Sequence, residues 1–400
     1  MVLMKKYLLT ALVFIITGAW SIQAQTYGQL LGQEDEVNTI TTAVPFLLIS
    51  PDSRAGAMGD VGVASSPDAN SQHWNAAKYP FIDDEMGVSI SYSPWLPELV
   101  NDIDLSYVSA YFKLDKMQTI SMSLRYFSLG EITFTNRVGE SMGQFKPNEF
   151  AIDAAYSRLF SDKWSGAVVL RYINSNLTSG QFVNGAETQV GQSIAADVAV
   201  YHETDVDLGE RDGIFSFGAN ISNIGAKISY SETLERDFIP INMRIGAALT
   251  TELDDYNKIS VMADFNKLLV PTPPLYRVDS NGAYNIAKGK DPNRSVVAGM
   301  LGSFSDAPGG FDEELREVTA GVGLEYWYDN QFALRGGYFH EHETKGNRKY
   351  FTMGVGFKYN VLGLDFSYLI PIEQRNPMEN SLRFSLRFNF ESFQNQQQNN

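Results

Sequence analysis

Ser381-Leu-Arg-Phe-Ser-Leu-Arg-Phe-Asn-Phe390 alternates apolar and polar residues without a break and ends on an aromatic. A period of two puts Leu382, Phe384, Leu386, Phe388 and Phe390 on one face and Arg383, Ser385, Arg387 and Asn389 on the other. One face suits lipid and the other suits water. Working back towards Glu85, further runs of this kind lie near 86–93, 103–114, 117–129, 149–160, 163–175, 190–203, 212–223, 240–251, 257–268, 316–328, 331–341, 349–360 and 361–370. Most reach the roughly 9–11 residues that a tilted strand needs to cross a bilayer. With the run at 380–390 they make an even set, so the expected fold is all-β: a closed 14-stranded antiparallel transmembrane β-barrel over 85–390.

The connections alternate in length. Asp115-Lys116, Ser161-Asp162, Asp254-Asp255-Tyr256 and Asp329-Asn330 are short, whereas 130–148, 176–189, 224–239 and 269–315 are long. Barrels of bacterial outer membranes have short periplasmic turns and long outer loops. This pattern places both ends of the barrel in the periplasm and makes 269–315 a long extracellular loop.

A barrel must first be exported. Lys5 and Lys6 precede an apolar stretch from Tyr7 to Ala19, which reads as a secretory signal peptide over 1–24 cleaved after Ala24. The expected destination, after Sec-dependent export, is the outer membrane of a Gram-negative bacterium. No Cys is present, so no disulfide holds the fold. The net charge of −16, reduced further when Lys5 and Lys6 leave, argues against nucleic acid as a partner. The final residues, 391–400, form a polar C-terminal tail.

The inward face carries Arg125, Asp153, Arg171, Asp197, Asp264, Glu325, Arg335, Lys358 and Asp365. A basic side chain at mid-bilayer on the lipid face would cost about 2–4 kcal/mol. These charges either line a pathway or pair with one another across the lumen. Trp164, Trp327, Tyr328 and Phe332 beside short turns, with Tyr92 and Trp95 beside an outer loop, are expected to form two interfacial girdles.

Residues 25–84 are not strand-like and are expected to form a hatch or plug within the barrel. Their centre, Ser53-Arg-Ala-Gly-Ala-Met-Gly-Asp-Val-Gly-Val-Ala64, is dense in small residues that permit close backbone approach. The glycine spacing matches neither a dinucleotide fingerprint nor a Walker loop.

Several long motifs carry a family resemblance. Ser50 to Ala64 and Ser66-Pro-Asp-Ala-Asn-Ser-Gln-His-Trp-Asn75 closely resemble the PorV (LptO) family of the type IX secretion system. Tyr92-Ser-Pro-Trp-Leu96, Val100-Asn-Asp-Ile-Asp104, Ser303-Phe-Ser-Asp-Ala-Pro-Gly-Gly-Phe311 and Glu325-Tyr-Trp-Tyr328 are similar too. The resemblance implies a FadL-like barrel with an N-terminal hatch. Arg54, Gly56, Met58, Gly59, Asp60, Trp74 and Asn75 are its motif residues here. Ala76 departs from the Pro common after Asn in such barrels.

Its functional implication is secretion without catalysis or cofactor. Such proteins bind the C-terminal signal domains of cargo at the translocon, cap the lateral opening of the giant barrel SprA (Sov), and deliver cargo to the sortase-like PorU attachment complex. There the signal is removed and cargo is joined to lipopolysaccharide. Pro273, Pro274, Tyr276, Phe304 and Phe311 are the expected cargo contacts on the long outer loop. The alternative is FadL-like uptake of a hydrophobic small molecule. A barrel enzyme acting on lipopolysaccharide would need a nucleophile and an oriented base. Among His73, His202, His340 and His342, no strand supplies a Ser-His pair with an evident acid. His340 and His342 share a strand face, but two ligands are too few for a metal site.

Overall fold

The computed structural model describes residues 37–390 apart from 99, 101, 136–137, 139–140, 179–181, 184–185, 210, 232–235, 279–283 and 374–375. The expected signal peptide over 1–24, the first part of the expected hatch at 25–36, and the tail at 391–400 lie outside the described residues.

Fourteen antiparallel strands close into a barrel. In chain order they are Met86–Pro94 (β1), Ile103–Lys113 (β2), Gln118–Leu129 (β3), Asn148–Ser161 (β4), Trp164–Asn176 (β5), Gly191–Asp207 (β6) and Asp212–Gly225 (β7). The second half is Asn242–Glu252 (β8), Asn257–Leu268 (β9), Thr319–Tyr328 (β10), Phe332–His340 (β11), Lys349–Tyr359 (β12), Leu362–Pro371 (β13) and Leu382–Phe390 (β14). The final alternating run closes the ring: Met86 pairs with Phe390 and Tyr92 with Phe384. Closure leaves no unpaired edge, the only way a sheet satisfies its backbone in hydrocarbon.

Alternation dictates which side chains meet lipid. Leu382 and Phe384 are exposed outward, while Arg383 and Ser385 are buried inward. The same switch recurs on β3, where Met122 and Leu124 are exposed beside buried Ser123 and Arg125. Two aromatics depart from the expected girdles. Trp327 shares the inward parity of Glu325, and the Arg335 guanidinium sits 5.3 Å over its ring. Trp95 packs against apolar clusters inside the outer mouth. Trp164, Tyr328, Phe332 and Tyr92 remain exposed.

Most of the inward charges pair, while Arg125 donates to the Phe46 and Leu47 carbonyls and Asp264 accepts N–H groups of the segment before β1. On β5, Arg171 donates to Asp153 at 2.6 Å and to Asp197 at 3.1 Å. Asp197 sits at a register shift between β6 and β7, and also accepts the Asn223 N–H at 2.7 Å. A carboxylate thereby fills the break in the ladder. Arg335 bridges Glu325 and Asp365, each at 2.7 Å. Lys358 differs from the others: it is exposed and lines a cavity at the mouth beside the short turns.

Residues 37–85 precede β1 and thread through the lumen, with short helices at Ser53–Gly56 (α1) and Ser71–Trp74 (α2). The long outer connection is ordered where described. Leu275–Val278 pairs with Tyr284–Lys288, and helices follow at Val296–Gly302 (α3) and Phe311–Arg316 (α4).

Candidate functional site: a locked hatch beneath an apolar outer face

The hatch is held to the wall by charged and backbone bonds. Asp52 caps α1, accepting from the Ala55 N–H at 2.9 Å, and also takes the Trp74 indole N–H at 2.7 Å. The cap aims Arg54 at β10. Its Nε and Nη2 donate to the two Glu325 oxygens at 2.9 and 2.7 Å, and Nη1 donates to Asp68 at 3.0 Å. Burial alone would lower Arg54, but Glu325 and Asp68 outweigh it and hold the guanidinium well above its ordinary value.

The next turn needs a residue that tolerates close backbone approach. Gly59 has φ of 70°, and a Cβ there would lie 2.6 Å from the Tyr338 carbonyl oxygen. Its N–H donates to Thr352 Oγ1 at 2.8 Å. Asp60 then accepts from Arg383 at 2.7 Å and from the Tyr350 hydroxyl at 2.6 Å. Gly62 and Val63 N–H groups both donate to Asp264 Oδ2, at 2.7 and 2.9 Å. Wall glycines make room: a Cβ at Gly321 would stand 2.6 Å from the Gly59 oxygen.

Asn75 closes the segment, donating to the carbonyls of Val63 and Val200 and accepting from the Ala77 N–H. Lys78 Nζ donates to the Gly62 carbonyl at 2.7 Å and to Ser65 Oγ at 3.1 Å. Burial pulls its amine down to about 8. His73 lies between Arg125 and Arg244; burial, then these two cations, keep it well below its usual range. Arg54, Gly56, Met58, Gly59, Asp60, Trp74 and Asn75 thus belong to one hatch-and-wall contact. Gly56 faces Arg383, and Met58 is wholly buried.

Cavities flank the hatch. One of about 390 Å³ opens at the end that carries the long connections and is lined by Ile40, Leu48, Trp74, Arg244, Phe339 and Tyr350 among others. Another, about 460 Å³, lies at the mouth beside the short turns with Arg54, Asp68, Lys358 and Arg387.

Above the outer cavity, an acid–lysine latch fixes α4. Lys267 donates to Glu314 at 2.8 Å and to Glu317 at 2.6 Å; Lys345 donates to Glu313 at 2.6 Å and Glu317 at 3.1 Å. Glu314 also accepts the N–H groups of Asp306 and Ala307, tying the Ser303–Phe311 motif to the same point. With its inner side so anchored, the loop presents apolar side chains outward. Val297, Leu301 and Phe304, at i, i+4 and i+7, are 60, 66 and 49% exposed; Phe311 and Leu315 are 73 and 56% exposed.

Of the expected contacts on this loop, Tyr276, Phe304 and Phe311 are exposed, whereas Pro273 is half-buried and Pro274 buried. Pro274 lies against Gly289 of the same loop, and the Pro273 carbonyl accepts from the Asn38 amide at 3.2 Å. Val297, Leu301 and Leu315 escaped the sequence reading, although the i, i+4 spacing of Val297 and Leu301 follows from Ser295 as a cap; its Oγ accepts the Ala298 N–H at 3.4 Å. Asp52, Asp68 and Lys78 escaped it as well, because nothing local marks their partners.

The family described as "Type IX secretion system protein PorV" matches residues 32–275, more than half of the chain. No curated protein matches. Among solved structures, the toluene transporter TodX of Pseudomonas putida is similar at 11% identity and a TM-score of 0.47, over 89% of this chain and 100% of that one. The toluene transporter TbuX of Ralstonia pickettii gives 10%, 0.44, 86% and 98%. A Pseudomonas aeruginosa FadL homologue gives 10%, 0.43, 86% and 99%.

Proposed function

Because this chain belongs to the PorV family of the type IX secretion system, we propose that it is the outer-membrane component that captures the C-terminal signal domain of secreted cargo on its outer face. It takes cargo at the SprA (Sov) translocon barrel and carries it to the PorU attachment complex. The role is non-enzymatic. The observation that carries this reading is the apolar face of α3, α4 and Phe304, held out on a segment latched through Glu313, Glu314 and Glu317. Exposed aromatic and aliphatic side chains on a rigid support lose little entropy on binding. Aromatic anchors of this kind dominate interfaces, at about 2 kcal/mol or more for each hot spot.

The hatch bonds favour docking over conduction. An uptake channel for hydrophobic solutes needs a path from the outer cavity to the periplasmic one, and Arg54, Asp60, Gly62 and Val63 all bond to the wall between them. Breaking a buried ion pair costs about 3–5 kcal/mol, so opening this path is opposed by two such terms, Arg54–Glu325 and Asp60–Arg383, and by the backbone bonds to Asp264.

The test replaces residues 272–312 by a short Gly/Ser linker in living cells. Loop closure depends only weakly on length, so the barrel should assemble. Cells should then accumulate uncleaved cargo while uptake of hydrophobic solutes is unchanged. Normal cargo cleavage and surface display would overturn the docking role, and a selective uptake defect would establish the transporter instead.

A further inference from the structure

At the rim of β10, β11 and β12 that carries the long connections, His340 and Lys349 lie on the face that meets lipid, with Arg316 at the chain's entry to β10. Alternation along β11 turns Ala333, Arg335 and Phe339 inward and leaves Tyr338 and His340 outward. On β12, Tyr350 and Thr352 turn inward, so Lys349 and Phe351 point outward. His340 and Lys349 are direct cross-strand partners. Ala320 of β10 flanks His340 on the other side, and the chain enters β10 from exposed Arg316 at the end of α4.

Neighbouring cations with inward partners are neutralised. Lys345 pairs with Glu313 and Glu317, and Arg348 with Glu341. Among the described residues no ion pair involves Arg316, His340 or Lys349; the His340 ring meets only the Tyr338 hydroxyl, at 3.3 Å. The three also act on His342, two residues beyond His340: burial first, then Arg316, with Lys349 and His340 after it, push His342 below its ordinary value, and Glu343 opposes them.

Immediately towards mid-membrane, Tyr338 and Phe351 pack with ring centroids 5.1 Å apart. Val322 and Ile370 are exposed beside them. The order from rim to core is therefore cations, aromatic pair, aliphatic wall, which is the order of headgroup, interface and acyl chain in a lipid leaflet.

We propose that Arg316, His340 and Lys349 form a binding site on the outward barrel surface for the phosphate of an anionic outer-leaflet lipid of the lipid A class. Arg316 supplies a planar fork for phosphate oxygens and Lys349 a point charge. His340 donates a hydrogen bond. Acyl chains lie along Phe351, Val322 and Ile370. The leaflet assignment rests on the outward placement of the long loops that the cargo-capture reading also uses.

The full chain, reconstituted in phosphatidylcholine nanodiscs containing bisphosphorylated lipid A, should retain that lipid after detergent exchange, as counted by native mass spectrometry. The Arg316→Ala/His340→Ala/Lys349→Ala variant, checked for assembly by heat-modified electrophoretic mobility, should retain about one tenth as much. Lys349→Arg should keep most of it. Dephosphorylated lipid A should not be retained by either protein. Equal retention by wild type and triple variant overturns the site. Displacement by millimolar inorganic phosphate overturns the lipid source, and preference for phosphatidylglycerol over lipid A overturns the leaflet. Cargo binding measured without lipid A is independent of all these outcomes, so either reading can fail alone.

Discussion

Arg54 in the hatch and Glu325 in the wall are joined by two parallel hydrogen bonds, of 2.9 and 2.7 Å, across 271 residues of sequence. Glu325 is shared with Arg335 and Arg54 with Asp68, so the pair anchors a network spanning hatch and wall. Arg54→Met leaves Glu325 and Asp68 with one fewer cation each, at a cost of about 3–5 kcal/mol to hatch seating. The strand ladder is untouched. Limited proteolysis of the assembled barrel should cut the hatch about 100-fold faster than in wild type if opening precedes cleavage. Unchanged cleavage would show that the pair does not hold the hatch.

Gly59 is the position where backbone geometry leaves least freedom. Gly59→Val combines a φ of 70° with a Cβ 2.6 Å from the Tyr338 carbonyl oxygen. The left-handed conformation alone costs about 1–2 kcal/mol, and the steric conflict adds to it. The variant should lose its compact electrophoretic form at a lower temperature than wild type. Equal heat resistance would mean that this turn is not pressed against β11.

Lys78 gives stability a pH dependence of known sign. Its amine falls from 10.5 to about 8 on burial, so the folded state disfavours the charged form. The penalty is fully present below about pH 8 and disappears as pH rises towards 10.5. One pKa unit is about 1.4 kcal/mol, which makes the change about 3 kcal/mol. Heat-modification midpoints should rise between pH 8 and pH 10 in wild type relative to Lys78→Met. Parallel pH profiles for the two proteins would remove Lys78 as the cause.

Orientation follows from loop length and can be read with single cysteines in a chain that has none. Cys at Asp291 or Ser305, both exposed in the outer connection, should react with an impermeant thiol reagent on intact cells. Cys at Asp255 or Asn330, in short turns, should not. The reverse pattern would invert the barrel.

Much of this architecture was legible because a barrel strand writes its two environments into alternate residues. Leu382 and Phe384 against Arg383 and Ser385 state the fold locally, and each strand found in the sequence lies within a few residues of its position in the barrel. Trp327 and Trp95 were misread because residue type suggested an interface while strand parity and packing turned them inward. The pairing of Arg54 with Glu325, or of Asp264 with the N–H groups of Gly62 and Val63, was not legible. Such partners are chosen by how the hatch threads a closed ring, and no local period records that. The outer loop was half legible: Phe304 and Phe311 stood out as aromatics, but the bonds of Lys267 and Thr272 to Glu314 and Glu317, which set the path of the chain past Pro273 and Pro274, have no local mark.

Cargo capture is the central claim, and it is tested most directly by equilibrium binding between the purified barrel and an isolated cargo C-terminal signal domain. Leu301→Ala/Phe304→Ala/Phe311→Ala removes exposed side chains while leaving Lys267, Lys345 and their carboxylates in place. Loss of three anchors should raise the Kd at least about 100-fold, the equivalent of about 2.7 kcal/mol. Substitutions at Asp255 and Asn330 in the opposite turns should leave it unchanged. Wild-type affinity in the triple variant would contradict the account.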